Sequence, residues 1–273
     1  MGGNDWTRRY LALLGFDMRD GAALPPADLD TLNRIARAHV LTVPFESITS
    51  VLRRRRSSTE NVPPLDPEVI LNAWIDRRAG GLCFEVTEMV SRLLSSLGYD
   101  AHPVLGEISF PGAHQAVCVT IDGTRFMVDA GNGAPFFVPI PLDAGDFEIH
   151  QVGLAYRFHQ EADADVSVQD RWIDGEWKPF CRYTLAVPDP AAREAAYQRL
   201  HLLGHMWVVD NLVLVRCTEQ DVWSLRDGTL NHFTADGKTT ETIPPTAYPA
   251  CAADLFTLPN LPIAEAARQL SAT

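Results

Sequence analysis

No run of eighteen apolar residues occurs in this 273-residue chain, so no membrane-spanning helix is expected. The amino terminus has no basic segment leading into an apolar stretch, so no secretory leader is expected either. Positive charge is short. The chain has 23 Lys and Arg against 35 Asp and Glu, a formal net charge of −12, which argues against a nucleic-acid partner. Cysteine is scarce and scattered, at 83, 118, 181, 217 and 251, with no CxxC pair. That odd, dispersed set offers no disulfide frame and no zinc ribbon, expects no metal, and suits a reducing cytoplasm. Internal repeats and low-complexity tracts are also missing. What remains is 46% hydrophobic and 21% charged, the balance of a soluble globular protein long enough for a large core and two or three subdomains.

Against that ordinary background, Gly80-Gly81-Leu82-Cys83-Phe84-Glu85 stands out. Two glycines allow a tight turn, and the cysteine follows at once. Val86, Met89, Val90, Leu93, Leu94 and Leu97 then recur at helical spacing, with Gly98 where a helix would stop. Cys83 is therefore expected in the first turn of a helix, where free N–H groups and the helix dipole favour negative charge. Such a setting can bring a thiol from about 8.5 into the range of roughly 3.5–7.5, more so beside an imidazolium. Glu85 is expected to cap or pair locally.

A second pattern lies downstream. Residues 114–121 alternate, Asp122-Gly123 is a two-residue turn signal, and Thr124 to Val128 form the return strand. A two-residue loop pairs Ile121 with Thr124, which sets Asp129 opposite Ala116 and makes His114 and Asp129 diagonal neighbours on one face. An imidazole held by a carboxylate keeps one tautomer and leaves its other nitrogen for a nucleophile. The hairpin by itself does not bring Cys83 to His114.

Elsewhere, residues 1–98 read as helical. Leu29, Leu32, Ile35, Ala36 and His39 share a helix face, and Asp66-Pro67 opens a helix carrying Val69, Ile70, Ala73 and Trp74. Arg53 to Arg56 read as a solvated loop, or else as a basic patch that attracts the phosphates of a co-substrate. From Tyr99 the pattern turns to short strands that suit a barrel, including a hairpin around Asp174-Gly175. A helix is expected from Pro190 through Leu200 towards Met206, then a strand over Leu212–Cys217, a hairpin around Asp227-Gly228, and a closing helix from Ile263 to Leu270. His201 and His205 read as packing or surface residues rather than metal ligands. Trp172, Trp177, Trp207 and Trp223 read as core.

Taken together, Arg9 to Phe16, Val43-Pro44-Phe45-Glu46, Gly80 to Glu85 and Asp129-Ala130-Gly131-Asn132-Gly133 resemble, in order, segments of the arylamine N-acetyltransferase family. The resemblance covers most of the chain. It implies an α+β protein with a papain- and transglutaminase-like cysteine-enzyme core. Its expected parts are a helical bundle carrying the nucleophile (1–98), a β-barrel carrying histidine and aspartate (99–200) and an α/β lid (201–273). It also implies ping-pong transfer of an acetyl or other acyl group from CoA to an arylamine-type amine. Cys83 would be the nucleophile, His114 the base and Asp129 its orienter, with Phe84, Gly131, Asn132 and Gly133 lining the substrate or CoA site. Acetyl-CoA would be a co-substrate, with no permanently bound cofactor.

Four positions depart from the family pattern. Ala79 stands where an arginine normally pairs with the glutamate matched by Glu46, Thr87 and Ser47 each replace an asparagine, and Asn132 replaces a pocket aromatic. These leave open an amide synthase fed by an acyl carrier protein, a thiol hydrolase or transglutaminase-like enzyme, and a catalytically silent paralogue that binds a partner.

Overall fold

The helical face read from the sequence is the one the fold buries. In the computed structural model, which describes residues 3–19, 21–161 and 165–271, the chain opens with α1 (Gly3–Leu13), α2 (Leu29–Thr42), a two-residue strand β1 (Phe45–Glu46), α3 (Ile48–Arg53), α4 (Pro67–Arg77) and α5 (Cys83–Ser96). Asp28 caps α2 by accepting the Thr31 N–H at 2.8 Å, and Asp66 caps α4 by accepting those of Glu68 and Val69. Leu32, Ile35, Ala36 and His39 of α2 are buried. Leu29 and Val69, expected on buried faces, are exposed instead. Each lies in the first turn of its helix.

The middle of the chain is antiparallel sheet. Strands β2 (Asp100–Glu107), β3 (His114–Ile121), β4 (Thr124–Val128), β5 (Ile140–Pro141), β6 (Phe147–Gln151), β7 (Leu154–Gln160), β8 (Val166–Ile173) and β9 (Glu176–Thr184) form one sheet in the order β5-β4-β3-β2-β9-β8-β7-β6. It curls into a nearly closed barrel. The β3–β4 register is the one the Asp122-Gly123 turn dictates, with Ile121 opposite Thr124 and Val117 opposite Val128. The two-residue period of β3 divides its side chains. Val117 and Val119 pack on the helices, whereas Ala116 and Cys118 enter the barrel core. His114 is even-numbered and shares the barrel-side face.

The remainder comprises α6 (Pro190–Leu200), α7 (Trp207–Asp210), β10 (Val213–Cys217), β11 (Asp221–Arg226), β12 (Thr229–Thr234), β13 (Gly237–Thr242), α8 (Tyr248–Phe256) and α9 (Ile263–Ser271). Strands β10 to β13 form a second sheet, and its edge is completed by β1, so residues 45–46 belong to a sheet otherwise built after residue 212. α6 is shorter than expected. It stops at Leu200, and His201 caps its end with Nδ1 against the Tyr197 carbonyl.

Of the arginine run, Arg56 is exposed, whereas the other three are tied down. Arg53 Nη1 meets Glu85 Oε1 at 2.6 Å, Arg54 donates to the Gln269 carbonyl at 2.8 Å, and Arg55 donates to the carbonyls of Gln198 and Glu60. These side chains tie α3 to α5, α6 and α9. The tryptophans also depart from expectation. Trp172 and Trp207 are each 49% exposed, Trp172 packing edge-on against Trp177 at a hairpin tip.

Candidate active site

Cys83 is the first residue of α5, and the glycine pair before it is explained by space. Neither Gly80 nor Gly81 lies in the left-handed region. A Cβ on Gly80 would fall 1.8 Å from the Pro44 carbonyl oxygen, and one on Gly81 would fall 2.9 Å from Glu85 Cβ. The segment before the helix is pressed against β1, where Phe45 bridges Gly81 and the Glu46 N–H donates to the Gly81 carbonyl at 3.2 Å. Glu85 both caps and pairs. One carboxylate oxygen accepts the Leu82 N–H at 3.2 Å and the other takes Arg53.

Glu85 is buried and Arg53 is its cation. Arg53→Met should therefore destabilise the fold by about 3 kcal/mol, because it strands a buried carboxylate. Adding Glu85→Gln should recover part of that loss in urea titrations. A single variant as stable as the parent would remove this role. Glu46, which lacks the arginine expected at position 79, has no cationic partner among the described residues. It is fully buried and accepts the Thr49 N–H and hydroxyl at 3.1 and 2.6 Å. Burial raises its pKa. The N-terminus of α3 thus takes the place of the missing guanidinium.

The hairpin brings His114 to Asp129 directly. His114 Nε2 lies 3.0 Å from both carboxylate oxygens, and Cys83 and the imidazole line the same cavity. With Nε2 committed to the carboxylate, Nδ1 is the nitrogen left for sulfur. All three residues are buried. Burial alone would lower the imidazole pKa, but the carboxylate and the sulfur outweigh it and raise the value well above the ordinary histidine range. Asp129 accepts two further bonds at 2.7 Å, from Asn132 Nδ2 and from the Tyr183 hydroxyl. Tyr183 comes from β9, separated from the hairpin by β2, and Gln169 of β8 supports it at 2.9 Å.

Cys83, His114, Gly131 and Asn132 line one cavity of about 280 Å³ that also receives Trp207 and His205. Gly131 is small because Cys83 is behind it: a Cβ there would meet Cys83 Cα at 2.7 Å. Gly133 abuts the Phe45 ring and borders a neighbouring groove. Phe84 points away, packing on Tyr197 at 5.5 Å and lining a different depression. Asn132 stands in place of an aromatic and serves as a bridge. Its amide donates to Asp129 while its Oδ1 accepts from Arg171 Nη2 at 3.2 Å. Tyr183, Gln169, Arg171 and Arg226 were not singled out from the sequence, and nothing local to them signals a site. Only barrel closure brings Tyr183 and Gln169 behind Asp129, and the barrel and second sheet together bring Arg171 and Arg226 to the cavity. Among the described residues, no cluster of three or more His, Cys, Asp or Glu side chains is arranged to hold a metal.

The family model described as N-acetyltransferase matches residues 28–259. The chain is 29% identical over 189 residues to the arylamine N-acetyltransferase of Mycolicibacterium smegmatis, covering 64% of this chain and 63% of that protein. It is 28% identical over 164 residues to the proansamycin X synthase of Amycolatopsis mediterranei, covering 58% and 61%. Each match thus spans less than two thirds of the relative's length. Among solved structures, the arylamine N-acetyltransferase from Mycobacterium abscessus superposes with a TM-score of 0.82 at 20% identity, over 99% of this chain and 98% of that one. The Mycobacterium marinum enzyme in complex with CoA superposes at 0.78 and 19% identity, over 96% of each.

Proposed function

Because the chain belongs to the arylamine N-acetyltransferase family, we propose that it moves an acyl group from an acyl-CoA to an amine through an acyl-cysteine. The observation that carries this reading is that Cys83 and His114 line one cavity, with His114 Nε2 fixed 3.0 Å from Asp129. His114 takes the thiol proton, and Cys83 Sγ attacks the thioester carbonyl. The carbon–sulfur bond to CoA breaks, and the leaving thiolate collects the proton from His114. An amine then attacks the acyl-cysteine, gives its proton to the imidazole and leaves as an amide, restoring the thiol. Proton transfer of this kind contributes roughly 10²–10⁴-fold. Asp129 holds the ring in register and stabilises the imidazolium. The fully buried Asp129 and the support of Tyr183 and Asn132 keep the relay rigid between the two half-reactions.

In this reading a helix bearing cysteine packs on a barrel bearing histidine and aspartate, the plan of papain- and transglutaminase-like enzymes. The functional parts divide as 1–98, 99–200 and 201–273, and the protein works in the cytoplasm on small molecules. Intact-mass spectrometry after mixing with acetyl-CoA tests the reading. A single acyl adduct on the parent, lost in Cys83→Ala and discharged by added arylamine, is expected. Adduct formation undiminished in Cys83→Ala overturns it, and loading only from a carrier-bound thioester replaces CoA as the donor.

A further inference from the structure

Two guanidinium groups face the Cys83 cavity, and among the described residues no carboxylate is in ion-pair contact with either. Arg171 projects from β8 and Arg226 from the end of β11, and both line the same cavity as Cys83 and His114. Among the described residues neither forms an ion pair. Arg171 donates from Nη2 to Asn132, lies over the Phe180 ring, and keeps its Nε shielded from solvent with no acceptor. Arg226 donates from Nε to the Ser224 hydroxyl at 3.0 Å. A guanidinium carries five N–H donors, so most donors of both groups are unanswered.

Burial lowers the pKa of each, and Arg171 lowers that of Arg226 further by like-charge repulsion. Both residues are partly buried, and partly burying an unpaired cation carries a cost that a second cation nearby increases. The arrangement makes sense if an anion completes it, since paired Arg groups recognise carboxylates and similar oxyanions well.

We propose that Arg171 and Arg226 form a subsite for a carboxylate carried by the substrate close to its reacting atoms. This rests on the acyl-transfer reading above. The position argues for a group near the chemistry. Arg171 touches Asn132, Asn132 touches Asp129, and Asp129 holds His114. The phosphates of CoA sit at the opposite end of the pantetheine arm from the thioester, too far along the ligand for this place. There is also room beyond an acetyl group, because both arginines border a second groove of about 550 Å³ between the barrel and the second sheet. The carboxylate can arrive on the acyl chain, as in a dicarboxylic monothioester, or on the amine, as in an aminobenzoate.

Two arms separate the sources. In the first, thioesters of N-acetylcysteamine, which carry no phosphate, present a succinyl group or its neutral succinamoyl counterpart, and loading is read by intact mass. In the second, acetyl-loaded enzyme is discharged with an aminobenzoate or the matching aminobenzamide. The carboxylate is expected to outperform its amide about ten- to hundredfold in one arm, the range of a charge-assisted hydrogen bond. Arg226→Gln should abolish that ratio and Arg226→Lys should keep part of it. If Arg226→Gln does not fold, Arg171→Gln and the comparison within the parent enzyme still decide. Ratios near one in both arms, or equal loss on carboxylate and amide, overturn the subsite. Loss confined to CoA thioesters and absent with N-acetylcysteamine assigns the arginines to phosphate and also overturns it. No loading of Cys83 from any thioester sinks the acyl-transfer reading and this one together.

Discussion

Asp129→Asn is expected to slow acylation of Cys83 by about 10⁴-fold while leaving a folded protein. The magnitude follows from the loss of one tautomer-fixing carboxylate, which costs that much in a well-studied serine-protease triad. The geometry here predicts a loss at least as complete. The carboxylate accepts from three donors, namely His114 Nε2, Asn132 Nδ2 and the Tyr183 hydroxyl. An amide offers a single acceptor oxygen and adds an NH2 that must face one of those donors. If the NH2 meets Nε2, the ring is forced to carry its proton on Nδ1, and the face turned to sulfur can no longer accept one. Stopped-flow acylation with acetyl-CoA measures the effect. A variant within tenfold of the parent would remove Asp129 from the relay.

The same substitution has a signature in stability. His114 binds its proton more tightly in the native chain than in the unfolded one, where the ordinary value is about 6.5. Its contribution is therefore fully present below roughly pH 6.5 and is lost as pH rises through the raised native value. Asp129→Asn leaves burial, which lowers that value, largely unopposed. The parent should lose stability on going from pH 6.5 upward more steeply than Asp129→Asn in urea titrations at matched pH.

Features governed by local rules were legible in the sequence. The Asp122-Gly123 turn fixed the β3–β4 register, and with it the approach of His114 to Asp129. The apolar period after Cys83 gave the start and end of α5 almost to the residue. What escaped was set by distant packing. Tyr183 reaches Asp129 from β9, and Arg171 and Arg226 reach the cavity from β8 and β11, strands whose neighbours are chosen by barrel closure and by the second sheet. Arg53 looked like one member of a charged run, yet it ends α3 in contact with Glu85. Strand β13 has exposed residues throughout and α8 begins after prolines, so neither shows a clear apolar stripe. Asn132 is the instructive case. As a departure from a family pattern it signalled a changed pocket, but its hydrogen bonds to Gln169 and Arg171 exist only once β8 has come to the loop after β4.

Gly80→Ala is expected to destabilise the fold by about 4 kcal/mol or more, at the extreme of single substitutions. The added methyl would sit 1.8 Å from the Pro44 carbonyl oxygen and 3.0 Å from Glu46 Cγ. The first of these is backbone, which no rotamer change can clear. Relief requires the segment before α5 to move off β1, and three things go with it. The Glu46 N–H loses the Gly81 carbonyl. The Trp74 indole loses the Gly80 carbonyl it reaches at 2.9 Å. Cys83 shifts away from Gly131, against which its Cα is already packed at the limit of contact. For a chain of this size each kcal/mol lowers the melting temperature by about 2–4 °C, so a fall of roughly 10 °C is the expected reading in a thermal melt. Gly81→Ala should cost less, because its methyl would meet the Glu85 side chain at 2.9 Å, a neighbour that can turn. A Gly80→Ala protein melting within 2 °C of the parent would show that the β1 contact yields easily, and that something other than this close approach holds Cys83 at the mouth of the cavity.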